Sequence, residues 1–157
     1  MAATHPAVSR IAAIAAILDE ELAIFRRLEA LADAQQAAIR DDDFARLNAI
    51  VAEQLALADE LAAREAARLD LVPPGSTLSE LIDAWGEPAA LLRDRREALT
   101  AQIDRVRLAH ERNSAIITTM LGHYRDRVQL ALQERALYGE DGQPRPAALR
   151  GVVDRRA

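Results

Sequence analysis

Residues 6–39 read PAVSRIAAIAAILDEELAIFRRLEALADAQQAAI, with apolar side chains recurring at Ile11, Ile14, Leu18, Leu22, Phe25, Leu28 and Leu31/Ala32. Steps of three and four residues place these side chains on one stripe of an α-helix, with a near-heptad seam. The next run, Phe44, Leu47, Ile50/Val51, Leu55, Ala58, Leu61 and Leu69, has the same period. Between the two lie only Asp41, Asp42 and Asp43, which supply an N-cap and acids favoured by the helix dipole for the second run. So short a break predicts an antiparallel hairpin. Each arm would be on the order of 40 to 50 Å long at 1.5 Å per residue, a coiled-coil proportion.

Downstream, Pro73, Pro74 and Gly75 end the second helix, because neither proline donates a backbone hydrogen bond and glycine tolerates the turn. Thr77 and Glu80 then form a T-x-x-E capping box opening a short connector helix with Leu78, Leu81, Ile82 and Trp85. Gly86 stops it, and Trp85 is expected to pack the connector onto the hairpin. Pro88 fits a first helical position. From there to about Leu137 the chain has no further proline and one glycine, Gly122, which allows a helix of about 50 residues, roughly 75 Å. Its seam reads Leu92, Leu99, Ile103, Val106, His110, Asn113, Ile117, Met120 and Tyr124, then shifts register to Val128, Ala131/Leu132 and Leu137, a stutter-like defect. Gly139, Gly142, Pro144 and Pro146 break it. The pattern predicts an all-α fold: a helical hairpin plus a long C-terminal helix in a coiled-coil-like three-helix bundle. One helical domain is expected over 1–138, with a flexible basic tail over 139–157.

Composition agrees with helices and removes most other classes. Of 157 residues, 34 are Ala and 21 Leu, whereas aromatics make up 3% and cysteine is absent. Stacking platforms, thiol sites and His-rich metal sites are therefore poorly supplied. No apolar run approaches the roughly 20 residues of a membrane span. The stretch Ile11–Leu18 runs directly into Asp19, Glu20 and Glu21 and does not read as a signal peptide. A net charge of −5 argues against generic nucleic-acid binding. All 20 basic residues are Arg, and they are unevenly placed: residues 1–75 carry net −6, residues 76–157 net +1.

Candidate chemistry is sparse. No G-x-S-x-G, P-loop, G-x-G-x-x-G or H-E-x-x-H occurs, so neither an enzyme nor a cofactor is expected. His123 and Asp126, three residues apart, offer two ligands without a third. His110 and Asn113 fall on the apolar seam, where a polar residue fixes register or partner choice, or faces a ligand. The distal half of the long helix carries Ile116, Ile117, Met120, Leu121, Tyr124, Val128, Leu130, Leu132 and Leu137 over two neighbouring faces, rimmed by Arg125, Asp126, Arg127, Glu134 and Arg135. One face can pack on the hairpin. The other needs a cover, either an amphipathic partner segment or the chain itself, as a closed bundle or a homodimer.

The segment LYGEDGQP, Leu137–Pro144, following a long helix with Asn113 near its middle, resembles the C-terminal part of the FlgN family of flagellar export chaperones. DDDFARL at 41–47, LAAREAARL at 61–69 and RLAHERNSAII at 107–117 look similar to that family's helical regions. The resemblance implies a small cytoplasmic helical chaperone without a cofactor; between monomer and dimer the oligomeric state stays open, with the monomer favoured. It would bind the C-terminal segments of hook-filament junction proteins of the FlgK and FlgL type and bring them to the flagellar type III export gate. Carried over by position, Asn113, Ile116, Ile117, Met120, Leu121 and Tyr124 lie in the client-binding stretch, which Val128 and Leu132 extend along the same strip. Tyr138, Gly139, Asp141 and Gly142 lie in the tail associated with gate docking. The competing assignment is a structural coiled-coil homo-oligomer with no secretion client.

Overall fold

The computed structural model describes residues 6–137, with side chains described for 7–133. The expected tail, and with it Tyr138, Gly139, Asp141 and Gly142, lies outside the described residues. The described chain is all-α: α1 (Pro6–Arg40), α2 (Phe44–Asp70), α3 (Leu78–Trp85), a single 3-10 turn (Glu87–Ala89) and α4 (Ala90–Leu137). It divides into two compact units, Met1–Asn113 and Ser114–Ala157, with the division falling inside α4.

Within the first unit the three aspartates divide the work of reversing the chain. Asp42 adopts a left-handed conformation at φ 54°, while Asp43 N–H donates to Ala38 O at 3.0 Å and Asp42 N–H to Ile39 O at 3.3 Å. This pair of bonds satisfies the last carbonyls of α1 in the Schellman manner, with aspartate where glycine is usual. The Asp43 carboxylate then caps α2, accepting from the Arg46 N–H at 3.0 Å. At the other boundary the predicted capping box is complete: Thr77 accepts from Glu80 N–H at 3.2 Å, and Glu80 accepts from Thr77 N–H at 2.7 Å.

Ion pairs set the helix directions. Arg27 meets Glu53 at 2.6 Å, and Arg64 and Arg68 meet Glu20 and Glu21 at 3.0 Å. Numbers fall along α1 as they rise along α2, so the hairpin is antiparallel. Asp19 meets Arg95 and Asp33 meets Arg112, both at 2.9 Å, and here the numbers rise together. The first part of α4 therefore runs parallel to α1. Acids of α1 thus meet arginines of both neighbours, while most of the negative charge of residues 1–75 sits in the Asp41–Asp43 turn and in α2.

The core is layered along α1. Ile11, Ile14, Ala15 and Leu18 pack with Ile82, Ala89, Leu92 and Leu99, and Trp85 closes this layer as expected. Ile24, Leu28 and Val106 follow, supported by Leu57 and Leu61. Leu31, Ala38 and Ile50 finish the stack beside the turn.

Two seams differ from the sequence expectation. On α2 the residues facing inward are Leu47, Ile50, Gln54, Leu57, Leu61, Arg64 and Arg68, whereas Phe44, Leu55 and Leu69 are exposed. On α4 the inward positions are Gln102 and Ala109, not Ile103 and His110. At Arg68 on α2 and Gln102 on α4 a polar side chain takes an inward position where a partner satisfies it, and an apolar neighbour is left outside. Gln102, 1% exposed, donates its amide to Glu29 Oε2 at 2.6 Å and accepts from Arg105 Nε at 3.1 Å.

Candidate client-binding face

Asn113 is the last residue of the first unit and is buried at 2% exposure. Its Nδ2 donates to Ala32 O at 2.7 Å and to Gln35 Oε1 at 3.1 Å, while its Oδ1 is buried without a partner among the described residues. The structure thus gives Asn113 a place inside the helix packing, pinning α4 to α1, and separates it from the other residues expected to touch a client. His110 beside it is half-buried.

Those other residues lie in the second unit on Ser114–Leu137. Ile116, Ile117 and Met120 are half-buried. Leu121, Tyr124, Val128 and Leu132 are open, between 52% and 63% exposed. At 100° per residue, Ile117, Met120, Leu121, Tyr124, Val128, Ala131 and Leu132 share one broad face. Gly122 does not break α4, which is continuous through it, and a Cβ there would meet nothing within 4 Å. An open, shallow depression lined by Ala115, Ile116, Thr119 and Met120 adjoins the same face.

Among the described residues each border of the face carries an arginine. Arg125 lies on one edge, next to Leu121 and Leu132, and Arg127 on the other, next to Met120. Asp126 points away from the apolar residues. Both arginines are exposed, and neither makes an ion pair among the described residues. Chemically, such a face buries apolar surface and orients charge; it offers no nucleophile and no general base. His123 and Asp126 are also exposed, and no group of three or more His, Asp or Glu among the described residues is placed to hold a metal ion. No described helix is long and apolar enough to cross a membrane.

Sequence reasoning missed Gln35 and Gln102, the second an interior partner of α1 and the first a partner of Asn113. Gln102 stands three after Leu99 and four before Val106, a heptad signal that counting apolar residues discards. It also missed that Val51, Leu55, Ala58, Ala62 and Leu69 form a second exposed stripe, on the outside of α2.

No curated protein and no solved structure matches the chain. The family model described as FlgN protein matches residues 1–146, nearly all of it. The match spans α1 to α4, the pinned Asn113 and the apolar face beyond it, and the chain belongs to the FlgN family.

Proposed function

We propose that this chain, as a flagellar export chaperone of the FlgN family, uses the exposed face of α4 to hold a C-terminal helical segment of a hook-filament junction protein of the FlgK or FlgL type. The observation that carries this reading is the run of large apolar side chains, Leu121, Tyr124, Val128 and Leu132, left open on a regular helix. Open apolar residues of that number on one stripe mark a docking surface, and a helix laid along it would bury them at about 1.5–3 kcal/mol for each side chain fully covered. Such a client segment is itself an amphipathic helix. Covering it keeps the client from folding or assembling before secretion. Ile116, Ile117 and Met120 form the proximal end of the site, and Asn113 anchors the middle of α4 to α1 rather than touching the client.

The stretch with Tyr138, Gly139, Asp141 and Gly142 then docks at the export gate, in the cytoplasm, and release needs only competition for the apolar face. No cofactor enters this cycle. The outer stripe of α2, with Leu55 and Leu69 exposed, favours a second reading, a homo-oligomer closed through that stripe. Light scattering separates the two: a monomer that becomes a one-to-one complex with client supports the chaperone, and a tight dimer indifferent to client supports the oligomer.

The direct test places a charge on the face. Leu121→Asp and Met120→Asp should each weaken capture of a FlgK or FlgL C-terminal segment by at least about 100-fold, since an unpaired carboxylate would be desolvated in the interface. Helical content by circular dichroism should stay unchanged. Undiminished capture by both variants refutes the site.

A further inference from the structure

In the first unit, α4 presents Arg95, Arg105 and Arg112 to α1, where they meet Asp19, Glu29 and Asp33 at 2.9, 3.8 and 2.9 Å. Between these pairs run the apolar contacts of Leu92, Leu99 and Val106 with α1 and its neighbours. The partner that α4 accepts there is an amphipathic helix with acids beside its apolar stripe. In the second unit Met120, Leu121, Tyr124 and Val128 are flanked by Arg127, which precedes Val128 as Arg105 precedes Val106, and also by Arg125 on the opposite edge. Both guanidinium groups are exposed, and neither makes an ion pair among the described residues.

We infer that the helix received by this face carries Asp or Glu along both borders of its apolar stripe, so that Arg125 and Arg127 choose the partner by charge as Arg95 and Arg112 match α1. The inference rests on the reading of this face as the client site and adds the chemistry of what fits there. Exposed ion pairs add little affinity and discriminate well. Two pairs favour the matched helix by about fivefold, and like charges at the same positions penalise a basic helix by a similar factor. The apolar face supplies the grip and the two arginines the selection. A basic amphipathic segment is disfavoured by the same factor.

The test titrates the full chain with two synthetic helical peptides that share one apolar stripe, one with Glu at the border positions and the other with Lys, read by fluorescence anisotropy. The Glu-bordered peptide should bind about fivefold or more tightly at about 0.05 M salt. The difference should vanish near 1 M, where the screening length is about 3 Å. In the double variant Arg125→Glu, Arg127→Glu, whose exposed positions leave folding intact, the order should reverse. Equal binding of the two peptides, or preference for the Lys-bordered one, overturns the inference. If Met120→Asp abolishes binding that does not discriminate in the parent chain, the face stands as the site and the acidic-border rule falls. If Met120→Asp leaves binding of the Glu-bordered peptide unchanged, the site reading itself fails and takes the rule with it. Uptake of neither peptide by a chain that sediments as a dimer also overturns it, because a second copy then covers the face.

Discussion

Helix α4 passes through two environments. In Ala90–Asn113 Leu92, Leu99 and Val106 are buried, Leu91, Ile103 and Leu108 stay exposed on the other side, and Arg95, Arg105 and Arg112 find acids on α1. In Ser114–Leu137 the residues are at least as apolar, yet Leu121, Tyr124, Val128, Leu130 and Leu132 are open. One helix thus shows both what a partner helix does for such a stripe and what the stripe looks like without one. Most helical stability in proteins comes from packing an apolar face. The second stretch therefore holds its helix on weaker terms and gains most when a partner arrives.

The largest expected effect breaks this comparison at its strongest point. Leu92, fully buried against Ile14 and Leu18, should cost about 2–5 kcal/mol when cut back in Leu92→Ala, through lost transfer energy and the cavity left behind. Leu132→Ala, the same truncation on an exposed site, should move stability by no more than about 0.5 kcal/mol. Urea unfolding followed by circular dichroism reads both. Similar losses for the two would mean that the second stretch is covered in the free protein, against the structure.

The sequence made the hairpin, the connector and the long helix readable because each has a local cause: a 3-4 apolar period, a capping box, a Pro-Pro-Gly stop. Trp85 was placed correctly on the same grounds. What it did not make readable was which of two adjacent stripes faces inward. On α2 the pairs Ile50/Val51 and Leu57/Ala58 leave the choice open by a single residue, and it is decided by Arg64 and Arg68 reaching Glu20 and Glu21 across the hairpin. On α4 it is decided by Gln102 and Asn113, polar residues whose partners Glu29, Ala32 and Gln35 lie more than seventy residues away in sequence. The apolar face of the second stretch was legible as a set of residues, and its exposure was not, since exposure depends on what fails to pack against it.

An intermediate effect sits at the junction of the two stretches. Asn113 donates twice but leaves its Oδ1 buried and unpaired, so its net contribution is small even though its burial is nearly complete. Asn113→Leu removes the unpaired oxygen together with both hydrogen bonds, and replacing a polar group by an apolar one of similar shape is close to neutral. A change of no more than about 1 kcal/mol in either direction is expected. Asn113→Asp should cost more, about 2 kcal/mol, because a carboxylate would face the Ala32 carbonyl and the Gln35 oxygen with no donor. Equal costs would show that the position is governed by size and not by the hydrogen bonds that pin α4 to α1.

The smallest effect sharpens the comparison from the turn between α1 and α2. Asp42 holds a left-handed backbone at φ 54°, tolerated because aspartate is among the few residues that visit that region, though at a cost that glycine avoids. Its side chain is exposed, and the bonds that close α1 come from the backbone N–H groups of Asp42 and Asp43, which glycine at position 42 preserves. Asp42→Gly should therefore stabilise the first unit by about 0.5 kcal/mol, the relief of backbone strain exceeding the greater unfolded-state entropy of glycine. Native-state hydrogen exchange localises the gain. Amides of Ala90–Asn113 should slow with those of α1 and α2, since they open with the same core, while amides of Ser114–Leu137 should exchange as in the parent chain. Slowing by the same factor along the whole of α4 would show one cooperative helix and remove the contrast from which the open face draws its availability.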